Sequence, residues 1–77
     1  MNEDFEQEYF HKRSVSLHGH KTSISLEQDF WNVLEDAAFS QNISLIQLIQ
    51  KVDERRKRAL SSALRLYALK YALGQKV

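Results

Sequence analysis

Residues 21–26, K-T-S-I-S-L, alternate small polar and apolar side chains. This period of two is typical of a strand with one buried and one exposed face. From Phe30 onward the apolar residues recur instead at the spacing of a helix, at Phe30, Val33, Leu34, Ala37 and Ala38. No turn residues separate the two patterns. The chain is therefore constrained to pass directly from a strand into a helix.

A single strand cannot be stable alone, because its backbone donors and acceptors need partners. Residues 21–26 are the only strongly alternating run, so the simplest partner is the same segment of a second copy. We therefore expect an antiparallel two-stranded ribbon around a two-fold axis. Residues 13–17 also alternate, before the turn signal His18-Gly19-His20. Residues 14–17 are either a short extra strand or an extended lead-in to the first one.

Helical periodicity and end signals predict three helices, at about 27–40, 44–57 and 60–73. Ser25 with Gln28, and Ser44 with Gln47, have the spacing of a capping box. Asn42 is suited to the left-handed conformation that ends a helix. The amides at the start of the second helix also form a candidate anion site.

The third helix carries two apolar stripes. One consists of Leu60, Leu64, Tyr67, Ala68 and Tyr71, and the other of Leu66, Leu69 and Leu73. We expect both sides to be covered, one of them by a second subunit. Ser61 or Ser62 is the expected cap, and Gly74 the expected stop.

The length of 77 residues predicts one domain at the small end of what folds alone. There is no cysteine, so neither a disulfide framework nor a zinc ribbon supports the fold. Dimerisation is the remaining common way to stabilise such a chain. No apolar run approaches the roughly 20 residues of a membrane span. We expect a protein of the cytoplasm with no membrane partner.

Charge is divided unevenly along the chain. Residues 1–10 carry four acids and no Lys or Arg, whereas the remainder carries 11 bases and six acids. We expect a mobile acidic and aromatic arm over residues 1–12 and a domain over residues 13–77. The densest basic cluster is formed by Lys51 and residues 55–58. It is either a solvated helix end or a contact for phosphate, and we give these interpretations equal weight.

Catalytic and metal chemistry have little support in the sequence. His11, His18 and His20 have no carboxylate or cysteine beside them to complete a ligand set. No nucleophile elbow or phosphate loop frames the serines and aspartates. We expect no enzyme activity, no metal and no cofactor.

The segment from Arg13 to Glu27, R-S-V-S-L-H-G-H-K-T-S-I-S-L-E, resembles the ribbon-helix-helix DNA-binding proteins of the MetJ/Arc type. The resemblance extends to three further motifs: Phe30-Trp31, Ile43-Ser44 and L-S-S-A at residues 60–63. It is closer to the branch of the family that has an extra C-terminal helix. The resemblance covers roughly residues 12–74. It departs at Glu27 and Asn42, where the family often has proline and glycine.

The resemblance implies a mainly α fold with one short strand, in which two copies intertwine through an antiparallel two-stranded ribbon and each adds a C-terminal helix. The shared dimer core is expected to consist of apolar residues from the strand and the first two helices: Ile24, Leu26, Phe30, Leu34, Leu48 and Ile49.

The resemblance also implies a dimeric, sequence-specific protein that binds double-stranded DNA and represses transcription. The ribbon would lie in the major groove with Lys21, Ser23 and Ser25 at the bases. The expected phosphate contacts are Ser44, Leu45, Arg55 and Arg56. The alternative is an antitoxin-like module that binds a protein partner through its helices or its N-terminal arm.

Overall fold

A computed structural model describes residues 10–77. These residues form an antiparallel hairpin followed by three helices. The elements are strands β1 (Phe10–Leu17) and β2 (His20–Glu27), and helices α1 (Gln28–Ser40), α2 (Leu45–Arg55) and α3 (Leu60–Ala72). Residues 1–9 of the expected arm lie outside the described residues. Residues 10–12, which we had placed in that arm, belong to β1.

The expectation of one short strand is wrong, because residues 10–17 of the same chain form a second one, which confirms the alternative of an extra strand at residues 14–17. The strands pair in register from Phe10 opposite Glu27 to Leu17 opposite His20. The turn between them has two residues, His18 at φ 51° and Gly19 at φ 81°. Positive φ at both central positions is the signature of a type I′ turn, whose twist matches that of the paired strands. One edge of β2 is therefore paired within the chain, without a second copy.

Helix α1 begins where β2 ends, as the change of periodicity predicts, but its cap differs. Glu27 occupies the cap position with extended backbone and without a capping side-chain hydrogen bond. The expected box of Ser25 with Gln28 does not form, because Ser25 remains in the strand opposite Lys12. The helix consequently starts at Gln28, one residue later than predicted.

The predicted start of α2 is confirmed, and its predicted end is wrong. Ser44 Oγ accepts from the Gln47 amide at 3.1 Å, and Gln47 Oε1 accepts from the Ser44 amide at 2.8 Å. Asn42 has a φ of 60°, the left-handed conformation expected of it. The helix ends at Arg55 rather than at residue 57, because the backbone of Arg56 is extended.

The third helix starts at Leu60 behind Ala59, which has no side chain to cap it, so the expected Ser61 or Ser62 cap is wrong. At its other end Gly74 has a φ of 77°, and the Gln75 amide donates to the Lys70 carbonyl. This 6→1 bond is typical of a glycine-terminated helix. The prediction of Gly74 as the stop is thus confirmed.

The core lies between one face of the hairpin and the three helices. Its largest fully buried side chains are Trp31, Leu26, Leu34, Leu48, Ile49 and Leu64. Five of the six residues expected in a dimer core are buried within one chain, and Phe30 packs against them partly buried. Their part in a dimer interface stays a prediction.

Candidate nucleic-acid interface

One face of the hairpin is polar in its middle and lined with small side chains. Directly opposed residues of antiparallel strands share a face, so the register settles which residues lie together. Three cross-strand pairs form the middle of this face: Lys12 with Ser25, Ser14 with Ser23, and Ser16 with Lys21. All six are exposed except Ser25, which is partly buried. We call this set the ribbon face.

The ribbon face combines two kinds of hydrogen-bonding group. A lysine ammonium offers three donors and no acceptor, whereas each serine hydroxyl is both donor and acceptor. Serines are also short, so the backbone can closely approach whatever the face contacts. Such a set suits the edges of bases, where guanine presents acceptors and other bases present donors or both.

Half of the ribbon face was missed by sequence reasoning, which identified Lys21, Ser23 and Ser25 but not Lys12, Ser14 and Ser16. A usable signal was present. The run K-R-S-V-S-L at residues 12–17 recurs nine positions later as K-T-S-I-S-L at residues 21–26. Four of the six positions are identical, and a fifth exchanges Val15 for Ile24. This repeat places the same residue types on the same face of both strands.

The basic cluster lies beside the turn of the hairpin. His18 Nε2 is 3.5 Å from a carboxylate oxygen of Asp53, near the end of α2. The other oxygen of that carboxylate accepts from Arg56 Nε at 2.7 Å. Arg56 Nη1 also donates to the Arg58 carbonyl at 2.8 Å. Asp53 therefore links the hairpin turn to the segment after α2.

A groove of about 340 Å³ separates α2 from α3. Six of its lining residues are basic: Lys51, Arg55, Arg56, Lys57, Arg58 and Lys70. Its other lining residues include Leu66, Tyr67 and Val77, so cationic and apolar side chains line the same groove. We call it the basic groove. It can accept a ligand that is anionic, such as a phosphate, or both anionic and apolar.

The expected phosphate contacts fall at opposite ends of α2. Ten residues separate Leu45 from Arg55, which corresponds to about 15 Å along a helix. At the first end, the capping box satisfies the Gln47 amide but leaves those of Leu45 and Ile46 without an intrahelical partner. At the second end, Arg55 forms no ion pair with any residue in 10–77, whereas Arg56 is held by Asp53. The structure does not bring these two groups together.

Most of the positive charge is free of ion pairs. Among residues 10–77, three arginines pair with carboxylates: Arg13 with Glu35, Arg56 with Asp53, and Arg65 with Glu27. The other eight of the 11 Lys and Arg side chains have no such pair within this range. Unpaired surface cations are what an extended anion can neutralise.

No three His, Asp or Glu side chains in the range 10–77 lie close enough together to hold a metal ion. None of the helices between residues 10 and 77 has the length and apolar character needed to cross a membrane.

The comparisons with known proteins agree with the architecture. Residues 10–72 match the model of a family described as the ribbon-helix-helix domain. A similar solved structure is that of an uncharacterized protein from Bordetella pertussis Tohama I, with 33% sequence identity and a TM-score of 0.73. The match covers 88% of this chain and 60% of that one, so the chain spans less than two thirds of that protein's length. No match is found among curated proteins.

Proposed function

Because this chain belongs to the ribbon-helix-helix domain family, we propose that it is a sequence-specific DNA-binding protein that represses transcription. The family consists in general of DNA-binding transcription regulators and antitoxins. The proposed ligand is double-stranded DNA, the proposed compartment is the cytoplasm, and no cofactor is needed. The hairpin is proposed to lie in the major groove with its ribbon face toward the bases.

The observation that carries this proposal is the composition of the ribbon face. Two strands about 4.8 Å apart fit within a major groove about 12 Å wide. The lysines lie at opposite corners of the face and the serines between them. Lys12 and Lys21 can each donate to O6 or N7 of guanine, while the short serines allow close approach.

Phosphate contacts are proposed to fix the position of the hairpin on the duplex. Arg55 is the strongest candidate because it has no ion pair within residues 10–77 and lines the basic groove. Arg56 must share its guanidinium with Asp53, so we expect it to contribute less. At the other end of α2, the free amides of Leu45 and Ile46 next to Ser44 are suited to a second phosphate.

We propose that the DNA-binding form is a homodimer, as is typical of the family. In the single chain, Leu69 of α3 is 51% exposed, and Leu73, which caps the end of that helix, is 63% exposed. Both belong to the second apolar stripe of this helix, and a second subunit is expected to cover one of its two stripes. Covering these side chains would remove apolar surface from water, which favours association.

A second candidate function is an antitoxin-like module that binds another protein. The basic groove favours it, because cationic and apolar side chains line it together. An acidic helix with apolar anchors would fit such a groove. A stoichiometric protein partner, together with an absence of DNA affinity, would support this function over the first.

Selection of bound duplexes from a random pool tests the proposal. The full chain should enrich a defined sequence. Lys21→Ala should lower affinity for that sequence and relax base preference, whereas Arg55→Ala should weaken binding to all sequences evenly. Lys76→Ala removes the same charge from the C-terminal end and serves as the control. If the wild-type chain enriches nothing, or Lys21→Ala behaves like Lys76→Ala, the proposal is wrong.

A further inference from the structure

On the ribbon face, the sequence repeat and the strand register together give the hairpin a local two-fold symmetry of residue types. A shift of nine positions along the chain relates Lys12, Ser14 and Ser16 to Lys21, Ser23 and Ser25, respectively. The same operation converts the pair Lys12–Ser25 into the pair Lys21–Ser16 and leaves the Ser14–Ser23 pair in place. An antiparallel ladder has local two-fold axes perpendicular to the sheet. One such axis passes between Ser14 and Ser23, and it relates the residue types on the ribbon face, although Ser25 is partly buried and its counterpart Ser16 is exposed.

The symmetry extends to the apolar residues that hold the hairpin on the helices. Val15 and Ile24 correspond to each other, as do Leu17 and Leu26, and all four are buried. The exception is Arg13, which corresponds to Thr22. These two lie on the face toward the helices, where Arg13 stacks on Trp31 at 4.6 Å. The difference therefore leaves the ribbon face symmetric.

We infer that one chain carries a complete two-fold reading surface, and that a single hairpin recognises a short inverted repeat of DNA. The inference rests on the proposed DNA binding and adds Lys12, Ser14 and Ser16 as base-contacting residues equivalent to Lys21, Ser23 and Ser25. A dimer would then present two such surfaces, one from each chain.

Symmetry is the physical reason for an inverted repeat. Local two-fold axes of B-DNA relate the two strands, so a surface with the same symmetry offers each strand the same side chains. Four residues separate Lys12 from the position opposite Lys21, which corresponds to about 13 Å along a strand. At about 3.4 Å per base pair this spans about four base pairs. The recognised element is thus a palindrome of about four base pairs with a guanine in each half.

Single-lysine variants of the full chain test the inference. In selection from random duplexes, Lys12→Ala and Lys21→Ala should each relax preference at one base pair of each recognised element, by about 10-fold. The two affected base pairs should lie in opposite halves of the palindrome and carry the same base on opposite strands. Lys76→Ala is the charge-matched control and should alter neither position. Thermal unfolding should confirm that these surface variants remain folded.

The outcomes separate this inference from the proposed function. If Lys21→Ala relaxes base preference and Lys12→Ala does not, only β2 reads DNA and the inference fails while the function stands. If both variants act but at base pairs unrelated by two-fold symmetry, the inference also fails. If the wild-type chain enriches no sequence, both proposals fall together.

Discussion

At the scale of single residues, Glu27 joins three elements. It is the last residue of β2 and the cap residue of α1, and its carboxylate accepts from Arg65 Nε of α3 at 3.0 Å. The same guanidinium lies 5.7 Å from the ring centres of Phe10 and Phe30. The proline that often stands here in similar proteins could not form the ion pair. Glu27 therefore fastens the open end of the hairpin to the third helix.

The environment of Glu27 predicts how its contribution to stability depends on pH. A hydrogen bond to its own backbone, then the bond and charge of Arg65, lower the pKa of Glu27 below 4.5 against the opposing effect of burial. Its contribution to folding is therefore complete above pH 4.5 and is lost as the pH falls through the lowered pKa. Glu27→Gln should reduce the free energy of unfolding by about 0.5 kcal/mol at neutral pH, and by less at an acidic pH below the lowered pKa.

Urea denaturation of the variant and the wild type at both pH values measures this difference. Glu54→Gln is the matched control, since Glu54 is an exposed glutamate with no ion pair within residues 10–77. A deficit in Glu27→Gln that is equally large at acidic pH would show that the ion pair is not its cause.

Sequence reasoning succeeded for residues whose roles depend on near neighbours. The capping box of Ser44 joins residues three positions apart, and the left-handed Asn42 follows the helix that it ends. Glu27 was not identified in the same way, because its partner lies 38 positions away. Ser25 was misassigned for a related reason. Its spacing fits a cap, but its pairing with Lys12 keeps it in the strand.

At the scale of elements, β1 was the harder half of the hairpin to predict. Its residues toward the helices include the polar His11 and Arg13 as well as two apolar side chains. Tertiary contacts hold this polar half: Trp31 Nε1 donates to the His11 carbonyl at 2.8 Å, and Arg13 stacks on the same indole. Periodicity cannot reveal such contacts. The repeat could have revealed β1 itself, because it relates β1 to β2, a strand that was predicted.

The turn that joins the strands can be tested at Gly19. An added methyl group would meet no atom within 4 Å, so the cost of Gly19→Ala comes from its positive φ alone. We expect a loss of about 1 kcal/mol in the free energy of unfolding. Gly19→Asn should lose less, because asparagine tolerates the left-handed region and suits this turn. Urea denaturation compares them, and equal losses would mean that the turn conformation does not limit stability.

At the scale of the whole molecule, positive charge is concentrated near the proposed DNA contacts. Residues 1–9 contain four acids, whereas residues 10–77 have a formal net charge of +5. Lys21 lies on β2 one residue beyond the pair that closes the turn, and Asp53 ties that turn to the segment after α2. One end of the ribbon face thus lies near the basic groove. This arrangement favours a polyanion that extends from the hairpin past the end of α2.

The apolar surface of the molecule gives the last prediction, which concerns association. Leu69 and Leu73 lie one turn apart at the C-terminal end of α3, where Leu73 is the cap residue, and remain half or more exposed in the single chain. A two-fold interface would bury each leucine twice, once in each subunit. Only about half of the Leu69 side chain remains to be buried in each subunit, which contributes about 1 kcal/mol for each copy, so Leu69→Glu should weaken dimerisation by roughly 30-fold. Ile46→Glu is the matched control, because Ile46 is 44% exposed on a different helix, α2. Sedimentation equilibrium over a range of concentrations measures both constants. Equal weakening by the two substitutions would place the interface elsewhere, and a wild-type chain that stays monomeric would rule out the proposed dimer.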